Sequence, residues 1–149
     1  LIWIERLELS SMGVLSIILL FYIIFGCVFS AFALVLLTVP VFFPLIVGLG
    51  LETVYDTSPE NILIWFGILI VVVAEIGQIT PPIGMNVFVL KSMLPDVRLS
   101  TIFKGVIPFF GADLIRLALI VWFPAIVLTL PDYMEKFQKQ FSIFIEVLF

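Results

Sequence analysis

Apolar residues fill this chain in long runs, and the polar positions gather into a few short clusters between them. Met12–Leu37 carries no charge, enough to span a hydrocarbon core that needs about 20 helical residues. Small residues Gly26, Cys27 and Ser30 interrupt that run, and Pro40 and Pro44 bracket a short apolar stretch ending at Gly48–Gly50. Alone, that second piece is too short to cross as a helix. Met12–Gly50 is therefore either one full span plus a connector or a re-entrant hairpin with its tip at Gly26–Ser30, and hydropathy leaves both open. Leu51–Asn61 is a polar loop holding Glu52, Asp56 and Glu60 and no base. Ile62–Lys91 is apolar again; at about 1.5 Å per residue it reaches roughly 45 Å, more than the ~30 Å core. Ser92–Ser100 is a second polar loop, and Ile102–Leu130 a last span containing Pro108, Asp113, Arg116 and Pro124. Before these, Leu1–Ser11 reads as an interfacial lead-in. After them, Met134, Phe137, Phe141, Phe144 and Leu148 recur at spacings of three and four, the stripe of an amphipathic helix in the tail 132–149. The pattern predicts an all-α polytopic membrane protein lying in the lipid bilayer.

Composition agrees. The 149 residues are 63% hydrophobic and 12% charged, against about 25% charged in soluble domains. Sixteen phenylalanines and no histidine disfavour histidine metal sites and a Ser-His-Asp triad. A lone Cys27 leaves no internal disulfide, and neither a basic stripe for nucleic acid nor a phosphate loop is present. Nothing points to an enzyme. Lys91, Arg98 and Lys104 around the second loop place it in the cytoplasm and the acidic loop outside. The start at Leu1, with no methionine and no cleavable leader pattern, reads as a fragment, the C-terminal part of a larger protein.

The most informative stretch is Glu75–Asn86, Glu-Ile-Gly-Gln-Ile-Thr-Pro-Pro-Ile-Gly-Met-Asn. Proline donates no N–H, so Pro81 and Pro82 should leave the carbonyls of Gly77 and Gln78 without helical partners, while Thr80 is pushed out of the α region. Irregular backbone at membrane depth survives where protein buries it or where it lines a wet cavity. Freed carbonyls and the Thr80 hydroxyl are hard oxygen ligands of the kind an alkali or alkaline-earth cation prefers. The first half-helix aims its negative end at the break and the second its positive end, so cation and carboxylate could sit together. Gly77 and Gly84 either allow close packing or flank a ligand. Asn86 contacts substrate or caps backbone. Glu75 is either a coupling-ion or proton ligand or a brace for the break. Asp113 and Arg116, three apart, are expected to form a structural ion pair.

The runs Thr38-Val-Pro-Val-Phe-Phe-Pro-Leu, Trp65-Phe-Gly-Ile-Leu, Glu75–Val89, Pro95-Asp-Val and Phe103-Lys-Gly-Val-Ile-Pro-Phe resemble the large permease subunit of TRAP transporters, the DctM-like family. The resemblance covers Gly26–Pro131 and implies an ion-transporter-superfamily fold of two inverted repeats. Residues 1–131 would be the C-terminal repeat, with hairpin 12–50, broken helix 62–91 and last span 102–130. It further implies elevator-type, Na⁺-coupled uptake of C4-dicarboxylates or other organic acids across the bacterial inner membrane. A periplasmic substrate-binding protein and a small TRAP membrane subunit would be partners, with no cofactor beyond Na⁺ as coupling ion. Carried over, Gly77, Thr80 and Pro82 would help hold Na⁺ with the tip Gly26–Ser30. Substrate and ion would be held among Gly26, Ser30, Glu75, Gly77, Gln78, Thr80, Pro82, Gly84 and Asn86. Two departures stand out: Ser30 where the family's tip often has aspartate, and a longer Glu52–Ile64 connection. The rivals are a remnant acting as an interaction module and a carrier of the same superfamily that uses no binding protein.

Overall fold

The computed structural model describes residues 10–80 and 84–148, with backbone alone at 135 and 138–148. Seven helices account for nearly all of them: α1 (Ser11–Gly26), α2 (Ala31–Gly48), α3 (Leu51–Tyr55), α4 (Pro59–Ile79), α5 (Met85–Met93), α6 (Leu99–Trp122) and α7 (Ala125–Leu148). The molecule is all-α and polytopic: α2, α4 and α6 are each long and apolar enough to cross a membrane. The lead-in 1–9 lies outside the described residues, as do the side chains of Phe141, Phe144 and Leu148.

The uncharged run Met12–Leu37 is not one helix. It turns at Cys27–Ser30, where Val28 and Phe29 both donate their N–H to the carbonyl of Phe25. Ser30 then caps α2, its hydroxyl accepting from Ala33 N–H. The limbs run antiparallel: Ser11 Oγ donates to Leu49 O at 2.7 Å at the open end, and Tyr22 hydrogen-bonds Thr38 midway. Pro40 and Pro44, which bracket a short apolar stretch in the sequence, lie inside the 18-residue α2. Prolines are accommodated in apolar helices when neighbouring helices and Ser or Thr hydroxyls support the freed backbone groups.

At the centre stands α4, which packs against every other described helix. Ser58 caps it and Pro59 occupies its first turn, where a missing N–H costs nothing. Its buried positions Ile62, Trp65, Phe66, Leu69, Ile70, Val73, Ile76 and Gly77 recur at three and four, facing the hairpin on one side and α6 on the other.

The last span departs from expectation. In place of a helix over Ile102–Leu130, α6 stops at Trp122, because Pro124 cannot donate to the carbonyl of Ile120. Pro124 then opens α7, its carbonyl accepting from Val127 and Leu128. Thus the tail expected as a separate unit from residue 132 continues a helix begun at Ala125 and passing through Pro131. The carbonyls left bare at the end of α6 take donors from elsewhere: Trp65 Nε1–H reaches Ile120 O at 2.8 Å, and Tyr55 O–H reaches Val121 O at 2.8 Å. Burial pushes the Tyr55 phenol above its usual range, so it stays protonated and able to donate.

Trp65→Phe removes the indole donor while keeping an aromatic ring, leaving the Ile120 carbonyl buried and unpaired at a cost of about 1–3 kcal/mol. The variant should melt below the parent in detergent; an unchanged melting temperature would show that this bond does not hold α6 to α4.

A hairpin tip set against the break in the central helix

At its C-terminal end α4 meets the hairpin tip backbone to backbone. A Cβ built on Gly77 would lie 2.7 Å from both Cα and C of Gly26, and one on Gly26 would lie 3.2 Å from Gly77 Cα. Only the glycine pair permits that approach. One residue on, Gln78 Nε2 donates to the carbonyl of Phe29 in the tip at 3.3 Å.

The helix ends at Thr80, which is extended (φ −84°, ψ 134°), the conformation that a following proline favours. Its N–H turns back to Gly77 O at 3.2 Å and its hydroxyl donates to Ile76 O at 2.6 Å. The Gly77 carbonyl expected to be free is therefore paired, by a tightened last turn rather than by a regular helical bond. A hydroxyl that donates inward still presents its lone pairs outward, so Thr80 Oγ1 remains able to ligate a cation. Across the break, Gly84 caps α5 with φ +53°, and a Cβ there would lie 3.1 Å from Thr80 O and 3.4 Å from Gln78 O. Glycine is required twice over, by its dihedral and by the oxygens it faces. Pro81 and Pro82 lie outside the described residues, so Pro82 as an ion ligand has no position here.

The break thus brings together Gly26, Gly77, Gln78, Thr80 and Gly84. Ser30 lies at the tip but is engaged in capping α2, and Asn86 is exposed on the first turn of α5. Glu75 faces elsewhere. Two residues before Gly77, it lies about 200° round the helix and bonds Arg116 Nη2 at 3.4 Å, while the same nitrogen lies 3.2 Å from Asp113 Oδ1. The expected Asp113–Arg116 pair is in fact a triad with Glu75, which ties α4 to α6 and leaves Glu75 bonded away from the break. These side chains remain 61% (Glu75), 46% (Arg116) and 26% (Asp113) exposed. Charges within an apolar span face protein or water rather than acyl chains.

Among the described residues no group of three or more His, Cys, Asp or Glu side chains could hold a metal ion. Any ion at the break would be met by main-chain carbonyls and hydroxyls, a donor set suited to an alkali cation and not to zinc. The contact missed from sequence is that of Phe29, which is made through its carbonyl and so leaves no side-chain signal. The Arg116–Glu75 bond was hidden because it joins residues on different helices.

The family model described as the tripartite ATP-independent periplasmic transporter, DctM component, matches residues 2–126. The chain belongs to the DctM family. It is 30% identical over 132 residues to the C4-dicarboxylate TRAP transporter large permease protein DctM of Pseudomonas aeruginosa, covering 89% of this chain and 28% of that protein. It is 32% identical over 123 residues to the sialic acid TRAP transporter large permease protein SiaM of Vibrio cholerae, covering 83% and 26%. With the isethionate TRAP transporter permease protein DctMQ of Oleidesulfovibrio alaskensis it shares 28% over 120 residues, 80% of this chain and 17% of the relative. The chain thus spans about a quarter or less of these relatives. No solved structure matches it significantly.

Gly77→Ala forces a methyl into the Gly26 backbone and should cost about 1–3 kcal/mol, seen as a lower melting temperature in detergent. Gly67→Ala on the same helix, where an added Cβ meets nothing within 4 Å, should be neutral or stabilising by up to about 1 kcal/mol. Equal effects at the two positions would refute the close tip contact.

Proposed function

We propose that this chain forms part of the large permease of a TRAP-type transporter that takes up an organic acid across the bacterial inner membrane, driven by Na⁺. The observation behind this reading is the tip of the α1–α2 hairpin seated on the interrupted end of α4 through the glycine pair Gly26 and Gly77. In a bilayer such a hairpin would be re-entrant, its tip meeting the broken helix near the midplane as in other secondary transporters. The C-terminal end of α4 turns its partial negative charge toward the gap, which favours a cation. The N-terminal end of α5 turns amide groups and partial positive charge toward it, which favours an acid group. Na⁺ would be held beside Gly77, Thr80 and Pro82, with the acid on the α5 side near Gly84 and Asn86. Relatives named for C4-dicarboxylates, sialic acid and isethionate all carry organic anions, in keeping with an organic acid as substrate.

Transport would be an elevator-type movement of hairpin and broken helix together, with no covalent chemistry and hence no enzymatic step. α4 is suited to this, since it contacts the hairpin, α5 and α6 alike. A periplasmic binding protein would deliver the acid on the side of the acidic loop, and a small membrane subunit would steady the permease.

The test is uptake of labelled organic acids into proteoliposomes by the full-length permease with its small subunit and binding protein. An inward Na⁺ gradient should be required, and Thr80→Ala should raise the Na⁺ needed for half-maximal uptake by about tenfold, roughly 1.4 kcal/mol of ion binding. Uptake indifferent to both Na⁺ and Thr80 would make the break a structural kink and defeat the proposal.

A further inference from the structure

The glycine contact explains how close the hairpin tip comes to α4, but van der Waals contact between two bare backbones has little directional preference. Direction is supplied by Gln78. Its amide donates to Phe29 O in the turn between α1 and α2, a carbonyl one residue before the cap of α2. Its own main-chain carbonyl lies on the other side, 3.4 Å from where a Cβ of Gly84 would be, at the entrance to α5. One residue therefore touches the hairpin with its side chain and the break with its backbone. Gly77 and Thr80 flank it, and the hydroxyl and N–H of Thr80 are folded into the same last turn. Separating the tip from α4 breaks the Gln78–Phe29 bond.

We propose that Gln78 is a positioning residue, a latch whose side-chain amide ties the hairpin tip to the broken end of α4, so that the two halves of the ion site assemble and separate together. This rests on the ion-site reading above and adds to it the residue that couples its two halves. The bond needs a donor. A methionine at position 78 keeps the length of the side chain and loses the amide, and a glutamate keeps the shape but, ionised, can only accept.

Cys27 makes the latch measurable. It sits in the tip, 4% exposed, its thiol donating to Ile23 O at 3.1 Å and its backbone nitrogen 3.1 Å from where a Gly77 Cβ would be, so lifting the tip from α4 should open it to a thiol reagent. The experiment is the rate of maleimide labelling of Cys27 in the full-length permease, with cysteines elsewhere replaced, across a Na⁺ titration. Gln78→Met and Gln78→Glu should each label about fivefold faster than the parent, the effect of losing one net hydrogen bond. Both variants should need more Na⁺ to be protected. Parent-like labelling of Gln78→Met, with a parent-like melting temperature, overturns the latch even if Na⁺ protects the parent. Faster labelling of both variants supports it even if Na⁺ protects nothing, in which case the ion-site reading is what fails.

Discussion

A backbone carbonyl whose helical partner is a proline has to find another donor or an opening, and in an apolar molecule water is not at hand to supply one. Much of this architecture follows from that requirement. Pro124 strips Ile120 of its donor, and the α6 end is held where the Trp65 indole and the Tyr55 hydroxyl can reach it. The same two rings pack together at a centroid distance of 4.9 Å, so one contact joins the short α3, the central α4 and the end of α6. At the other end of α4 the answer differs: Thr80 bends back and satisfies its own last turn, and the chain leaves the helix entirely.

α4 has two faces with different tasks. On one, Gly26 and Gly77 let the hairpin tip approach as closely as main chains can, at a place where every side chain would intrude. On the other, the Glu75–Arg116–Asp113 triad ties α4 to α6 by charge. Separating the two keeps a full carboxylate away from the break, where the dipole of the helix end already supplies partial negative charge.

Element identity was largely legible in the sequence, because long uncharged runs and a Thr-Pro-Pro interruption can be assigned without knowing what surrounds them. Boundaries near prolines were not. Pro40 and Pro44 bracketed what read as a short apolar stretch, open to being a connector or a hairpin limb, and lie inside one helix, while Pro124 looked internal and ends α6. The three share the same local chemistry. They differ in what lies beside them: helix α2 continues along the hairpin, whereas at Pro124 two side chains from other elements reward the break. Likewise Asp113 and Arg116 could be paired from their spacing, but Glu75 joins them only through the antiparallel packing of α4 and α6.

What the sequence by itself determined is the class of the molecule and the place of its irregularity: apolar helices in series, with a break at Thr80–Gly84 flanked by glycines. Those follow from hydropathy and from the missing N–H of proline, which act within a few residues of chain. Only the tertiary structure decided what the break faces. It set the Phe29 carbonyl and the Gly26 backbone against Gln78 and Gly77 and turned Glu75 toward α6. Those relations join residues about 40–50 positions apart, and no local rule of propensity or spacing reaches that far.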